Sequence, residues 1–305
     1  METIIQTSKL TKAYKDVNAV IDNNITIHKG EIYGFLGLNG AGKTTTIRML
    51  LGLVKPSSGK AYLKGNEISN MSKNIWNSVG YLVETPNTYP MLTVRENLEV
   101  FRVMRSIKDP KSVDSIIELM DLTSYSNRLS KNLSLGNKQR LGLAKALIHQ
   151  PEILILDEPS NGLDPAGIHD IRELLMDLAK NKGVTILVSS HILGEISLFT
   201  DRIGIIHKGR MINEFNTHQL DQLCHKQLVI NTNNNYLASE LLRSKGITKT
   251  MHQGEQIIIK DKEVLSNTEK ISKILVDANF DLKRLNIEEE NLESYFLRSI
   301  KEKEI

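Results

Sequence analysis

Short, uninterrupted runs of apolar residues alternate with segments of helical periodicity along much of the chain. Ile153–Leu156 and Thr185–Val188 are continuously apolar, which is typical of strands buried on both faces of a parallel sheet. Gly167–Lys182 between them has the spacing of an amphipathic helix, so the three segments predict a βαβ unit. Glu31–Leu36 is another apolar run, and a glycine-rich turn separates it from the helix-compatible segment Gly42–Leu51.

The segments between these runs predict further strands and a helical region. Ala61–Leu63 and Val79–Val83 have strand-like sequences. Residues 93–149 are mostly helical in pattern, and this region opens on Thr93-Val-Arg-Glu96. That tetrapeptide has the form of a capping box, in which the first and last side chains each bond the other residue's backbone amide.

The character of the chain changes after about Leu220. We therefore predict two domains, residues 1–220 and 221–305, of which the second is a small α+β appendage. Leu228–Ile230 and Gln256–Ile259 are predicted to be strands, and Asn231–Asn235 an asparagine-rich turn. Glu269–Ala278 and Asn291–Ile300 are predicted to be amphipathic helices.

Composition narrows the class of protein. Of the 305 residues, 40% are hydrophobic and 25% are charged, as in ordinary globular proteins. No segment reaches the roughly 18 consecutive apolar residues of a membrane-spanning helix, and the N-terminus lacks the layout of a signal peptide. We therefore expect a cytoplasmic protein that reaches a membrane only through a partner. The single Cys224 excludes an internal disulfide framework and a multi-cysteine zinc site.

A glycine-rich loop between a predicted strand and a predicted helix carries the first candidate chemistry. In Gly37-Leu-Asn-Gly-Ala-Gly-Lys-Thr-Thr45, the glycines let backbone amides converge on anionic oxygens at a helix N-terminus. Lys43 would place its charge against the β- and γ-phosphates of a nucleotide. Thr44 would ligate Mg²⁺, and Thr45 would donate to a phosphate oxygen. The flanking strand and helix argue against a coincidental glycine-rich turn.

Two acidic residues follow the apolar run that ends at Leu156. Asp157 stands at the strand end, where its carboxylate would hold Mg²⁺ directly or through water. Glu158 would then face the γ-phosphate and orient and deprotonate the attacking water. The alternative is a solvated strand end without a ligand, which the phosphate loop makes the weaker interpretation.

The order of these motifs resembles the nucleotide-binding domain of ABC transporters over residues 3–220. That resemblance implies an α/β fold of the P-loop NTPase type: a RecA-like parallel sheet core, an antiparallel β subdomain and a helical subdomain inserted at about residues 85–150. It implies ATP and Mg²⁺ as cofactors and ATP hydrolysis as the activity. The matching segments are Walker A at 37–45, the signature at 133–140, Walker B at 153–158, the D-loop at 160–164 and the switch residue His191.

The resemblance also implies roles for individual residues. His191 would hydrogen-bond the γ-phosphate, unless it is simply a surface histidine at a strand end. Ser134 and Gly136 would bind the γ-phosphate of ATP held by the opposite subunit, so that a homodimer forms two equal sites. Tyr14 falls where the family stacks an aromatic ring on adenine, although a strand residue without a ligand would look the same. The implied nucleotide contacts are Tyr14, Gly37, Asn39, Gly40, Gly42, Lys43, Thr44, Thr45, Ser134 and Gly136.

Two departures from the family pattern are informative. The signature has Leu135 where glycine is usual and Asn137 where glutamine is usual. Glu84 stands where most members have a glutamine that contacts Mg²⁺ and water and links the helical subdomain to the membrane partner. A carboxylate is a charged, harder metal ligand than an amide, so Glu84 is a candidate catalytic and metal-binding residue. The alternative is a tolerated substitution that faces solvent.

Both departures resemble the branch of the family that exports or protects against bacitracin and lantibiotics. The appendage, which ends in Leu292-Glu-Ser-Tyr-Phe-Leu297, resembles that of the longer bacitracin-resistance members. The resemblance therefore implies a homodimeric ATPase on the cytoplasmic face of the membrane, attached to a separate integral membrane permease and powering efflux of a peptide antibiotic.

Three alternatives remain open. The chain could serve another multidrug or small-molecule exporter. It could be a soluble ABC-type ATPase acting on nucleic acid, but the net charge is only +3 and residues 221–305 carry 13 Lys/Arg against 14 Asp/Glu, so we expect no nucleic-acid partner. The appendage could bind a regulator or small ligand, although strengthening of the dimer is favoured.

Overall fold

The computed structural model describes residues 2–70, 73–84, 86–254, 256–290 and 292–302. The chain packs as two compact units, residues 1–217 and 218–305. Across the described ranges, no helix combines the length and the apolar character needed to cross a membrane.

The first unit contains two sheets and several helices. Its strands are β1 (Thr3–Tyr14), β2 (Val17–Asn23), β3 (Thr26–His28), β4 (Ile32–Leu36), β5 (Ser58–Leu63), β6 (Asn66–Glu67), β7 (Val79–Leu82), β8 (Ile153–Asp157), β9 (Thr185–Ser190), β10 (Arg202–His207) and β11 (Arg210–Asn216). Its helices are α1 (Lys43–Leu50), α2 (Val94–Met104), α3 (Lys111–Leu119), α4 (Leu135–Leu147), α5 (Pro165–Lys182) and α6 (Leu193–Ile196), with short 3-10 turns between some of them.

The central sheet has the strand order β11-β10-β4-β9-β8-β7. The last five strands of this order run parallel to one another, and β11 pairs antiparallel with β10. Every residue of β4, β8 and β9 is buried, which explains why these strands lack alternation of polar and apolar residues. The predicted βαβ unit is confirmed as β8, α5 and β9.

The second sheet of this unit is antiparallel. β1 pairs with β2, β3 and β5, and β5 pairs with β6. A common core joins this sheet to α1 and to the central sheet, so the phosphate loop before α1 is supported from several sides. Fully buried members of that core include Ile5, Leu10, Ile27, Phe35, Ile47, Leu50, Leu63 and Ile155.

The predicted helical region holds α2, α3 and α4. The capping box is present: the Thr93 hydroxyl accepts from the Glu96 amide at 3.2 Å, and the Glu96 carboxylate accepts from the Thr93 amide at 2.7 Å. α4 lies very close to β7, because a Cβ on Gly80 would sit 2.1 Å from the carbonyl oxygen of Ala146. Glycine at this strand position is therefore required by helix packing.

The second unit is a four-stranded antiparallel sheet with helices, in agreement with the predicted α+β appendage. Its strands are β12 (Lys226–Thr232), β13 (Thr250–Gln253), β14 (Gln256–Ile259) and β15 (Leu282–Glu289), in the order β13-β14-β12-β15. Its helices are α7 (Leu220–Leu223), α8 (Asn235–Ser244), α9 (Lys262–Ser266), α10 (Thr268–Asp277) and α11 (Leu292–Glu302).

The structure adds strands β13 and β15 and helices α7, α8 and α9 to the two strands and two helices predicted for this unit. Asn235 begins helix α8, because the Asn234 side chain caps it by accepting from the Leu237 amide at 3.1 Å, so the predicted asparagine-rich turn is also a helix start. α10 ends at Asp277, and Ala278 is exposed beyond its end. Asn291, the predicted start of the last helix, lies outside the described residues.

Candidate functional site

The glycine-rich loop joins β4 to α1 and lies against strand β10. A Cβ on Gly37 would come within 2.6 Å of the Ile206 carbonyl oxygen, and one on Gly42 within 2.4 Å of the Ala19 carbonyl oxygen. Gly42 has a φ of +110° and Gly40 a φ of +79°, in the region that glycine alone enters readily. The fold therefore demands glycine at these positions, and the Gly37 amide itself donates to the Ser190 carbonyl at 3.2 Å.

Lys43 begins α1 and is only 5% exposed. Its ammonium donates to the Gly37 carbonyl at 2.6 Å and lies 3.2 Å from Oε1 of Glu158. The positive charge is thus enclosed by the loop and faces the end of β8. A cation in this position suits a bound polyphosphate.

Asp157 is 1% exposed and has both carboxylate oxygens engaged. Thr44 Oγ1 donates to Oδ2 at 2.7 Å, and Ser189 Oγ donates to Oδ1 at 2.5 Å. A hydroxyl and a carboxylate in contact form a hard oxygen donor set of the kind Mg²⁺ prefers, so these residues fit that ion. Sequence reasoning did not single out Ser189, although it pairs with Asp157 across adjacent strands.

Glu158 has a φ of +50° and is fixed by two neighbours. Its amide donates to Ser189 Oγ at 3.0 Å, and its Oε2 lies 2.8 Å from Nδ1 of His191. Its Oε1 is buried and, despite the nearby ammonium of Lys43, has no hydrogen-bond partner among the described residues. One carboxylate oxygen is therefore held by histidine while the other keeps its acceptor capacity.

The predicted signature lies at the N-terminus of α4, a position the sequence correctly indicated. Ser134 is the N-cap, and its hydroxyl accepts from the Asn137 amide at 3.2 Å. Leu135 lies against Gly162, which has a φ of +77°: a Cβ there would sit 2.4 Å from the Leu135 Cδ2. The same hypothetical atom on Gly136 would meet the Gly162 carbonyl oxygen at 3.1 Å. The signature and the 160–164 turn are thus in direct contact.

Gln139 provides a second link between α4 and the end of β8. Its side chain is 2% exposed, and its amide donates to the carbonyls of Glu158 at 3.3 Å and Pro159 at 3.0 Å. Sequence reasoning missed this contact, because the spacing from residue 139 to 158 carries no local signal. Gln139 positions the backbone that bears Glu158.

The remaining predicted site residues are more exposed. Tyr14 ends β1 and is 44% exposed, with the Lys12 ammonium 4.9 Å from its ring centroid. Asn39 is exposed at the tip of the phosphate loop, and Thr45 is partly buried in the first turn of α1. Glu84 has a φ of +56° and forms an ion pair with Arg48 at 2.6 Å. The ligand roles of these four residues stay predictions.

Comparisons with known proteins agree with this arrangement. Residues 20–161 match the family model described as ABC transporter. The chain is 41% identical over 300 residues to the bacitracin transport ATP-binding protein BcrA of Bacillus licheniformis, with 98% of each chain covered. It is 36% identical over 229 residues to the lantibiotic transport ATP-binding protein SrtF of Streptococcus pyogenes. That match covers 74% of this chain and 98% of the relative.

Solved structures support the same assignment. A dimeric ATP-binding cassette in a post-hydrolysis state, bound to ADP and Pi, superposes with a TM-score of 0.66 at 25% identity. The match covers 70% of this chain and 99% of the cassette. With a phosphate loop, a paired threonine and aspartate, and a glutamate held by histidine, the chain belongs to the ABC transporter family as an ATP-binding subunit with ATPase activity.

Proposed function

We propose that this chain powers efflux of a peptide antibiotic, of the bacitracin or lantibiotic kind, through a separate membrane permease. One observation carries the proposal: similarity to the bacitracin transport ATP-binding protein extends over 98% of both chains and therefore includes nearly all of residues 218–305. The lantibiotic relative matches over a shorter stretch of 229 residues, which favours bacitracin. In this proposal the subunit lies on the cytoplasmic face of the membrane.

The site residues would divide the work of ATP hydrolysis. The amides of Gly37–Gly42, with Asn39 at the loop tip, and the ammonium of Lys43 would hold the phosphates, while Thr45 would donate to a phosphate oxygen. Thr44 and Asp157 would hold Mg²⁺, which when bound supplies neutralising charge at the phosphates. Tyr14 would stack on adenine from the exposed end of β1.

Glu158 would orient and deprotonate the attacking water. Its buried Oε1 keeps a free acceptor site, since Oε2 is occupied by the Nδ1 of His191. The Lys43 ammonium lies 3.2 Å from Oε1, so the carboxylate that would act as general base is next to the proposed phosphate-binding cation. His191 would keep that carboxylate in place and would bond the γ-phosphate through its other ring nitrogen.

Two copies would complete each site. Ser134 and the Gly136 amide lie at the N-terminus of α4, where the helix favours an anion, and would contact the γ-phosphate held by the partner subunit. One chain contains a phosphate loop and a signature, so a symmetric homodimer would form two equal sites. The dimeric state of the similar cassette supports this arrangement.

Substitution of Glu158 tests the catalytic part of the proposal. Glu158→Gln keeps the hydrogen bond to His191 but cannot take a proton, so we expect ATP turnover to fall by about 100-fold or more. ATP should then accumulate in a stable dimer, measured by light scattering with and without ATP. Glu173→Gln, which alters an exposed carboxylate on α5, is the matched control and should hydrolyse ATP like the parent. Parent-like turnover by Glu158→Gln would show that another group activates the water.

Deletion tests the transported substrate. Removing the gene for this chain together with that of its membrane permease should sensitise cells to bacitracin more than to lantibiotics, and the Glu158→Gln variant should not restore resistance. Sensitisation to lantibiotics alone would show that the transported substrate is a lantibiotic and not bacitracin. Equal sensitisation to all peptides that act on the cell wall would contradict a dedicated exporter and favour a multidrug one.

A further inference from the structure

Arg48 and Glu84 form a close ion pair at the last turn of helix α1. Nη2 of Arg48 and Oε1 of Glu84 are 2.6 Å apart. Arg48 is in the last turn of α1, and Glu84 follows the end of β7 with a φ of +56°. The left-handed backbone is uncommon for a residue with a side chain. The contact with Arg48, and not the backbone angle, is what holds the Glu84 carboxylate.

The position of Arg48 on α1 relates this ion pair to the proposed metal ligands. Thr44 and Arg48 are four residues apart and so lie on the same face of the helix, about 6 Å apart along its axis. Thr44 bonds Asp157, and one turn later Arg48 bonds Glu84. A single helix face therefore holds two carboxylates in succession: one at the proposed Mg²⁺ site, the other one turn away.

Charge explains why this chain needs such a partner for Glu84. A carboxylate close to a bound triphosphate would be repelled by it, whereas the amide of a glutamine would not. The Arg48 guanidinium offsets that negative charge without contributing an acceptor of its own. The two side chains are 37% and 55% exposed, so water competes for both, and the pair is weak enough to open.

We propose that Arg48 is a positioning residue that holds the Glu84 carboxylate one helical turn from the Thr44–Asp157 pair and competes with the metal–nucleotide complex for it. The inference rests on the proposed function, because it needs a metal–nucleotide complex at Thr44 and Asp157. Glu84 exchanges partners when that complex binds: the ion pair opens, and the carboxylate turns toward the metal. Arg48 thus determines how readily the Glu84 carboxylate becomes available to the metal. A glutamine at position 84 would have no ion pair to break.

Metal binding in a set of variants tests this without turnover. The probe is Mn²⁺ with saturating ADP, and bound metal is measured by electron paramagnetic resonance on the full chain. Arg48→Gln releases Glu84, so we expect the Mn²⁺ dissociation constant to fall about two- to fivefold, the range that an exposed ion pair provides. Glu84→Gln should raise it. The double variant should match Glu84→Gln alone, because nothing is left for Arg48 to restrain.

A matched control and a second readout keep the outcomes distinct. Arg95→Gln breaks an equally short, exposed ion pair with Asp114 at 2.6 Å and should leave Mn²⁺ affinity unchanged. Melting temperatures show whether each variant is folded. The inference would be overturned if Arg48→Gln changed the Mn²⁺ dissociation constant equally in the parent and in the Glu84→Gln variant. It would also be overturned if Arg48→Gln left that constant unchanged. A parent protein that bound no Mn²⁺ with ADP would overturn the proposed function as well.

Discussion

Leu135 shows how a single residue of unusual type is accommodated at a functional turn. Its side chain is 56% exposed and covers Gly162, whose missing side chain makes the contact possible. The departure from glycine in the signature therefore has a structural counterpart in the 160–164 turn. The sequence showed the substitution but not its partner, since the two residues are 27 positions apart.

We predict that Gly162→Ala will be more harmful than alanine at a comparable glycine. The new Cβ adds backbone strain at a φ of +77° and a steric clash with Leu135, together costing about 2–4 kcal/mol and displacing the turn. Gly183→Ala is the control, because Gly183 has a φ of +67° with no heavy atom of the described chain within 4 Å of that Cβ. Denaturant unfolding and ATPase rates measure both. Leu135→Ala should recover part of the loss, and a loss equal to that of Gly183→Ala would rule out the clash.

At the scale of elements, helix α4 packs closely against strand β7. The absence of a side chain at Gly80 allows the last turn of α4 to pack against the strand. His149 follows that helix, and its Nε2 is 3.0 Å from the Val79 carbonyl oxygen. Burial, reinforced by the nearby charge of Arg105, lowers the pKa of His149 to about 4. Its Nδ1 is buried without a hydrogen-bond partner in the described part of the chain, so a charged imidazole is poorly accommodated.

This pKa predicts acid sensitivity of the first unit. The folded-state pKa of His149 lies below the usual 6.5, so its contribution is complete above pH 6.5 and is lost as pH falls toward 4. Between pH 7 and 5 we expect a loss of about 2 kcal/mol in the free energy of unfolding. Urea unfolding, followed by the fluorescence of the single tryptophan, Trp76, measures this. His149→Gln should flatten the dependence, and His169→Gln on the exposed side of α5 should not.

Buried apolar strands and most amphipathic helices were predictable from the sequence, whereas several partly exposed elements were not. Ile153–Leu156 and Thr185–Val188 emerged as β8 and β9 because burial on both faces leaves no polar position to confuse the pattern. β1 and β15 were missed since their exposed faces carry many polar residues. α8 was missed because its capping asparagines also read as a turn. The local pattern of polar and apolar residues reflects burial, so it predicts partly exposed elements less well than buried ones.

At the scale of the whole molecule, the two units have different relationships to known proteins. The family model matches only within the first unit, at residues 20–161. The lantibiotic relative is covered over 98% of its length by 74% of this chain. The lantibiotic relative therefore matches a shorter part of this chain than the bacitracin relative does, 229 residues against 300.

We predict that residues 1–217 will fold and hydrolyse ATP without the second unit, because every proposed catalytic residue lies in the first. If the appendage strengthens the dimer, the shortened protein should need a higher concentration to dimerise in ATP. Analytical ultracentrifugation and ATPase assays of both lengths measure this. Unchanged dimerisation and turnover would argue against a dimer role and leave ligand or regulator binding as its function.

The sequence by itself determined the phosphate loop, the acidic pair at 157–158, the signature and the α/β class, because each depends on residue types at short spacing. Only the tertiary structure decided which side chains meet across distant segments. It brought Ser189 to Asp157, Gln139 to the backbone of Glu158, Leu135 to Gly162 and Arg48 to Glu84. The physical reason is that these contacts arise from strand register and helix packing, which join parts of the chain that no local pattern relates.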